Sequence, residues 1–270
     1  MMRDDPPRDG DQLAVLDKLA GLRRFTPARI ALGRCGSGQP TMTSLNFMLD
    51  HARARDAVHT ALDFEALGRS LRERNWDVIA VRSAAVDRAE YLRRPDLGRR
   101  LSPEGRLAIE GQRRGNDVAI VAADGLSASA IEINLRPLLD HLQRLLLAKG
   151  LTVGPIVLVE QGRVAIGDEI GETLGARLVV VLIGERPGLS AADSLGAYMT
   201  WQPRIGTMDS NRNCISNIRP AGLLPEDAAA QIVGLIELAF KHAVTGVQLN
   251  DLREADAMLL VGPRANHVNR

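Results

Sequence analysis

Alternation between apolar runs and helical patterns in residues 117–185 constrains the fold of this chain more than any other feature. The apolar runs 117–127, 154–162 and 177–185 predict buried strands, and the helical patterns 128–150 and 164–176 separate them. Continuous apolar strands that alternate with helices are typical of a parallel sheet covered by helices on both faces. The sequence therefore predicts an α/β fold built on a parallel sheet.

The same pattern extends toward both ends of the chain. Residues 77–85 predict another buried strand, and residues 225–244 predict an amphipathic helix. Ser102, Pro103 and Glu104 predict a helix start, because they supply an N-cap, a proline at the first helical position and an acid in the first turn.

The N-terminal third predicts helices. Residues 43–74 follow a helical pattern broken near Asp63, and their many polar residues suit a helix pair that lies on a larger body or on a partner. Residues 13–25 predict a short amphipathic helix that packs on its own domain or docks on another protein. The predicted organisation is residues 1–20 as a disordered segment or short amphipathic helix, 21–75 as a smaller, mainly helical segment, 76–250 as the α/β domain, and 251–270 as a C-terminal tail.

Composition excludes several classes of partner and compartment. The 34 basic and 33 acidic residues leave a net charge of +1, which argues against a nucleic-acid partner or an anionic membrane surface. Cys35 and Cys214 lie far apart, so we expect no structural zinc site, and unpaired thiols suit a cytoplasmic protein. No apolar stretch reaches the length of a membrane span, and residues 1–10 lack the apolar region of a secretory signal.

Three loops at predicted strand ends form the candidate ligand edge. Loops 124–127, 161–164 and 184–188 should share one edge of the sheet, where open α/β sheets bind their ligands. Glu185 is the only acidic residue in its loop and is the natural hydrogen-bond acceptor. Two simpler interpretations stay open: Asp124 caps the next helix, and Glu185 forms a solvated ion pair with Arg186.

Catalytic patterns are missing. Residues 125–129 do not form the G-x-S-x-G nucleophile turn, and the glycine-rich segment 33–41 is not a phosphate-binding loop. The histidines show neither H-E-x-x-H nor a metal-binding pair, and the polar segment 210–220 places no histidine near Cys214. The residues therefore predict an α/β ligand-binding domain with no catalytic residue and no metal site of its own.

Several segments carry a resemblance to a known family. These are residues 24–63, 83–105 and 117–131, and above all 182–223, where GERPGL is followed about 29 residues later by CISNIRP. Over residues 20–250 the chain resembles the small (light) subunit of ethanolamine ammonia-lyase.

The resemblance implies a function. Ethanolamine ammonia-lyase depends on adenosylcobalamin and converts ethanolamine to acetaldehyde and ammonia by a radical mechanism. The resemblance implies a hetero-oligomer in which a TIM-barrel large subunit holds the catalytic residues, while the Rossmann-like domain of the small subunit covers the lower face of the corrinoid at the interface. The family's cofactor contacts fall here on Val164, Glu185 and Cys214. The resemblance implies a location in the cytoplasm, either free or within a bacterial microcompartment.

A motif test narrows the binding mode of the cofactor. Proteins that bind cobalamin base-off supply a histidine from D-x-H-x-x-G. The residues two positions before the five histidines are Leu49, Ala57, Leu139, Phe240 and Ala265, and none is an aspartate. We therefore expect base-on adenosylcobalamin shared with the large subunit. The alternative is a stand-alone α/β small-molecule-binding protein or a hydrolase-like enzyme.

Overall fold

The computed structural model of the chain describes residues 21–26, 28–30, 32–33 and 37–252. The predictions for residues 1–20 and for most of the tail 251–270 lie outside these residues, as does Cys35. The glycine-rich segment 33–41 is described only in part.

Six strands form one mixed sheet in the described part of the chain. They are β1 (Val78–Arg82), β2 (Val118–Ala123), β3 (Val153–Glu160), β4 (Leu178–Gly184), β5 (Leu195–Trp201) and β6 (Arg212–Ile218), in the order β1-β3-β2-β4-β5-β6. The first four strands are parallel, whereas β5 runs antiparallel to β4 and β6 runs antiparallel to β5. The α/β class is confirmed, and every residue of β2 and β4 is buried, as their continuous apolar runs predict.

The prediction of a parallel sheet is wrong for the last two strands. Strand β6 lies in the polar segment 210–220, where Cys214 and Ser216 face solvent while Ile215 and Ile218 face the core. An edge strand with one solvent-exposed face has no continuous apolar run, so it lacks the hydrophobic pattern that predicts the inner strands.

Seven α-helices accompany the sheet among the described residues. They are α1 (Thr41–His59), α2 (Phe64–Arg72), α3 (Arg88–Arg93), α4 (Pro103–Glu110), α5 (Ala128–Ala148), α6 (Ile166–Leu174) and α7 (Pro225–His242). The predicted start of α4 is confirmed, since the Ser102 hydroxyl accepts a hydrogen bond from the Gly105 amide at 3.0 Å. None of the described helices is both long enough and apolar enough to cross a bilayer.

Two hydrophobic cores lie on opposite faces of the sheet. Helices α2, α5 and α7 cover one face, and α4 and α6 cover the other. The larger core includes the edge-to-face pair of Trp201 and Phe240, whose ring centroids are 5.0 Å apart. Tyr198 is partly buried at the margin of the second core, and Cys214 on the neighbouring strand is exposed.

Helix α1 differs from the other helices in its exposure. Ala57 is its one buried residue. Its apolar side chains are largely exposed: Met42 by 66%, Leu45 by 53%, Phe47 by 45%, Met48 by 62% and Leu49 by 49%. This helix therefore carries an apolar surface that the described part of the chain leaves uncovered.

The chain leaves the neighbouring strands β2 and β4 toward opposite sides of the sheet, so their connections diverge. Strand β2 continues through α5 to β3 on one side, while its other neighbour, β4, continues to β5 on the opposite side. Ligands of open α/β sheets bind outside the carboxyl ends of strands at such a divergence. The candidate site therefore belongs at the ends of β2 and β4.

Candidate functional site

The three predicted loops share one edge of the sheet, as the sequence predicts. The Leu126 amide donates a hydrogen bond to the Gly184 carbonyl at 2.9 Å, which joins the loops after β2 and β4. Gly125 has φ +57°, and a Cβ there would overlap the carbonyl oxygen of Gly184. The Gln161 amide donates to Asp124 Oδ1 at 2.7 Å, which joins the loops after β2 and β3.

Two adjoining cavities open at this edge. The first, of about 730 Å³, lies between the loop after β3 and the loop that joins β5 to β6. The second, of about 410 Å³, lies over the ends of β2 and β4. Arg163, Val164 and Tyr198 line both cavities, Cys214 lines the first, and Glu185 lines the second. The three sequence-predicted contacts therefore border one continuous strand-end face.

Glu185 is fixed at the end of β4. Its Oε2 accepts a hydrogen bond from Ser194 Oγ at 2.5 Å and another from the Asn217 amide at 3.3 Å. A Cβ on Gly196 would lie 2.8 Å from Glu185 Oε1, so the glycine makes room for the carboxylate. No described residue donates a hydrogen bond to Oε1, which leaves an oriented acceptor at the second cavity.

Tyr198 connects Glu185 with Cys214. It pairs with Cys214 across strands β5 and β6, and it lines the second cavity together with Glu185. Burial raises the pKa of the Cys214 thiol, although the residue itself is exposed, and the Glu185 carboxylate raises it further. A thiol with a raised pKa is a poor nucleophile, so this geometry suits contact and not covalent chemistry.

Asp124 is a buried structural acceptor and not the predicted helix cap. Ser127 caps α5 by accepting a hydrogen bond from the Ala130 amide at 3.2 Å. The Asp124 carboxylate bonds the Gln161 amide and Arg88, which also donates to the Gly125 carbonyl at 2.9 Å. Burial raises the pKa of Asp124 to about 6, while Arg88 and the Gln161 amide oppose that rise.

Arg163 and Tyr91 form the wall between the cavities and the loop after β3. The Arg163 guanidinium lies over the Tyr91 ring at 4.1 Å, and the Tyr91 hydroxyl donates to the Gly162 carbonyl at 3.0 Å. A Cβ on Gly98 would lie 2.8 Å from Arg163 Cγ, so this glycine admits the arginine stem. Arg163 is thereby held in one position at the mouth of both cavities.

Three side chains of this face were not predicted from the sequence: Tyr91, Tyr198 and Arg212. One available signal was the scarcity of tyrosine, because the chain has two tyrosines and both line the candidate site. Arg212 carried no comparable signal, since its role depends on a partner 44 positions away, Asp168. Within the described ranges no three His, Cys, Asp or Glu side chains are grouped so as to hold a metal ion.

The fold and this face define an α/β protein with its candidate site at the carboxyl ends of the strands. Residues 16–250 match the family model of the ethanolamine ammonia-lyase light chain. The chain therefore belongs to the ethanolamine ammonia-lyase light-chain family, as the resemblance implies.

Individual relatives agree with the family match. The chain is 53% identical over 245 residues to the ethanolamine ammonia-lyase small subunit of Azotobacter vinelandii, which covers 89% of this chain and 90% of that protein. It is 50% identical over 261 residues to the small subunit of Xanthomonas campestris, covering 94% and 92% respectively. The small subunit of Pseudomonas syringae is 48% identical over 255 residues, covering 93% and 89%.

Proposed function

We propose that this chain is the small subunit of an adenosylcobalamin-dependent ethanolamine ammonia-lyase and that its strand-end face binds the corrinoid at the interface with the large subunit. The lyase converts ethanolamine to acetaldehyde and ammonia. The observation that carries the proposal is the placement of Val164, Glu185 and Cys214 along one face formed by two adjoining cavities.

The residues of this face suit a corrinoid. Corrinoid side chains end in amides, which donate hydrogen bonds, and Glu185 Oε1 is an acceptor that no described residue uses. Val164 supplies apolar contact, and Tyr198 supplies a ring surface beside it. Buried polar atoms at the same edge also lack partners, namely Gln161 Oε1, Arg88 Nη2 and Arg163 Nε. Orphaned buried polar atoms are uncommon and mark places where a ligand or water completes the hydrogen bonding.

The proposal divides the work between two subunits. Adenosylcobalamin supplies the radical chemistry when it is bound, and a TIM-barrel large subunit supplies the substrate site and the catalytic residues. This chain orients the lower face of the corrinoid with residues 76–250, a Rossmann-like domain. Residues 21–75 form a smaller, mainly helical segment whose helix α2 packs on the sheet, and residues 1–20 and 251–270 are the terminal segments. We place the hetero-oligomer in the cytoplasm, with the bacterial microcompartment as the more specific location to test.

The bound cofactor is base-on in this proposal. No histidine of the chain lies in D-x-H-x-x-G, so the chain has no such ligand to replace dimethylbenzimidazole on cobalt. Electron paramagnetic resonance of the cob(II)alamin form in the complex, with ¹⁵N-labelled protein histidine, tests this point. Coupling to cofactor nitrogen alone is expected, and coupling to a labelled protein nitrogen would refute it.

The hydrolase-like alternative is not favoured by the site. Such an enzyme needs an activated nucleophile, and burial raises the pKa of the Cys214 thiol on this face. A stand-alone binding protein is not favoured either, because α1 leaves an apolar surface uncovered in the described part of the chain.

The deciding experiment uses the complex of this chain with its large subunit. Adenosylcobalamin is titrated into wild-type and variant complexes without ethanolamine, and binding is followed by visible absorbance. Glu185→Ala should weaken binding by about 5- to 150-fold, because it removes an acceptor at a covered interface. Val164→Ala should cost less than Glu185→Ala, and Cys214→Ser should be the mildest.

Two results would contradict the proposal. One is ethanolamine turnover by the isolated chain with cofactor, since the catalytic residues are assigned to the large subunit. The other is wild-type affinity in Glu185→Ala together with a loss in Cys214→Ser, which would remove Glu185 as the principal contact.

A further inference from the structure

Arginines dominate the charge of the strand-end face. Arg99, Arg100, Arg163 and Arg212 line the first cavity against two carboxylates, Asp168 and Asp209. Arg212 contacts both of these carboxylates, so it is neutralised. The described residues provide no carboxylate partner for Arg99, Arg100 or Arg163, and the cavity therefore keeps an excess of positive charge.

Arg163 is the best placed of the three unpaired arginines. It lines both cavities, whereas Arg99 and Arg100 are exposed and line only the first. Its guanidinium rests on the Tyr91 ring, and its Nη2 donates to the Tyr91 carbonyl at 3.3 Å. A guanidinium has five N–H donors, and that contact uses one of them.

The side chain of Arg163 is also preorganised. Its amide donates to the Gly98 carbonyl at 2.7 Å, and the missing Cβ of Gly98 leaves room for the arginine stem. An arginine held in place by packing loses less conformational entropy when it binds an anion. The planar fork of a guanidinium matches two oxygens of a phosphate group.

Adenosylcobalamin carries one anionic group of this kind, the phosphodiester of its nucleotide loop. We infer that Arg163 binds this phosphate and thereby orients the nucleotide loop on the small subunit, with Arg99 and Arg100 adding positive potential beside it. This inference rests on the proposed function, because it assigns one part of the same ligand to one residue.

The test compares three corrinoids on the assembled complex. Adenosylcobalamin and adenosylcobinamide phosphate carry the phosphate, whereas adenosylcobinamide lacks both the phosphate and the nucleoside. Each is titrated by visible absorbance into wild type, Arg163→Gln and Arg163→Lys, without ethanolamine. Arg69→Gln is the matched control, because it removes an arginine from the exposed surface of α2, where Arg69 pairs with Glu65.

Arg163→Gln should weaken both phosphate-bearing corrinoids by about 10- to 100-fold and leave adenosylcobinamide affinity unchanged. Arg163→Lys should recover part of the lost affinity, because it keeps the positive charge but lacks the planar guanidinium that can bind two phosphate oxygens. Unchanged adenosylcobinamide binding also shows that the variant is folded and assembled.

Two outcomes would overturn the assignment while leaving the proposed function standing. One is wild-type affinity of Arg163→Gln for adenosylcobalamin, and the other is an equal loss for all three corrinoids. If the wild-type complex binds none of the three, the proposed function fails and the phosphate assignment fails with it.

Discussion

Asp168 and Arg212 form a bidentate ion pair between helix α6 and edge strand β6. Asp168 Oδ1 lies 2.6 Å from Arg212 Nη1, Oδ2 lies 2.7 Å from Nη2, and each side chain is 2% exposed. Arg212 also donates to the Thr207 carbonyl at 2.7 Å, so the pair fixes the loop that closes the larger cavity. This ion pair therefore links helix α6 to the outer strand β6.

Breaking this pair should be costly. Asp168→Asn leaves the buried guanidinium with the exposed Asp209 as its one remaining carboxylate partner among the described residues. It should lower the free energy of unfolding by about 3–5 kcal/mol, measured by urea denaturation. Glu65→Gln, which breaks the exposed pair with Arg69, should have little effect by comparison. Equal, small losses in both variants would mean that the buried pair adds nothing beyond a surface pair.

Gly196→Ala should weaken adenosylcobalamin binding without removing any polar group. The new Cβ would lie 2.8 Å from Glu185 Oε1 and would displace the carboxylate from its present orientation. We expect a loss of affinity smaller than that of Glu185→Ala, measured by the same titration. Gly234→Ala in α7 is the control, because no atom lies within 4 Å of its added Cβ. Wild-type affinity in Gly196→Ala would show that the orientation of Glu185 is unimportant.

Asp124 should make stability fall as the pH rises from about 4 to 7. Its folded-state pKa of about 6 lies above its ordinary value of 3.8 because burial disfavours the charged form. Its contribution is therefore fully present below the unfolded pKa and is lost as the pH rises through the folded pKa. The difference between these two pKa values corresponds to a change of about 3 kcal/mol in the free energy of unfolding.

Urea unfolding at several pH values should show this slope in wild type and not in Asp124→Asn. Asp117→Asn should remove a slope of the opposite sign, because hydrogen bonds, first that of the Thr152 amide, lower the pKa of Asp117. Parallel pH profiles of wild type and Asp124→Asn would contradict the prediction.

Cys214 should react slowly with iodoacetamide at pH 8. Burial raises the pKa of its thiol, so the reactive thiolate is scarce although the residue is exposed. Alkylation is followed by mass spectrometry in a Cys35→Ser background, with a free cysteine peptide as reference. Bound adenosylcobalamin should slow the reaction further in the complex. A rate equal to that of the peptide would show that the thiol is not shielded.

The inner strands and the loops at their ends are predictable from the amino-acid sequence. Strands β2 and β4 are buried throughout, so hydrophobicity alone locates them, and parallel strands necessarily bring their carboxyl ends to one edge. Ser102 was also recoverable, because helix capping depends on a few neighbouring residues.

Features that depend on distant pairs were not recoverable in the same way. The pairing of Tyr198 with Cys214 requires strand β5, whose glycine and mixed polarity give no clear period. The sequence offers both Asp124 and Ser127 as the N-cap of α5, because both residue types cap helices. In the structure Ser127 is the cap, while Asp124 binds Arg88, which lies 36 positions away in the sequence. The proposed cofactor contacts came from the family resemblance, and the residues alone pointed only to the edge.

The apolar surface of helix α1 has a consequence for how the chain behaves as a colloid. A net charge of +1 provides almost no electrostatic repulsion between copies, and Met42 and Met48 are each more than 60% exposed. Proteins with near-zero charge and an uncovered apolar patch self-associate as their concentration rises. We therefore expect the isolated chain to self-associate more readily than the chain assembled with its large subunit.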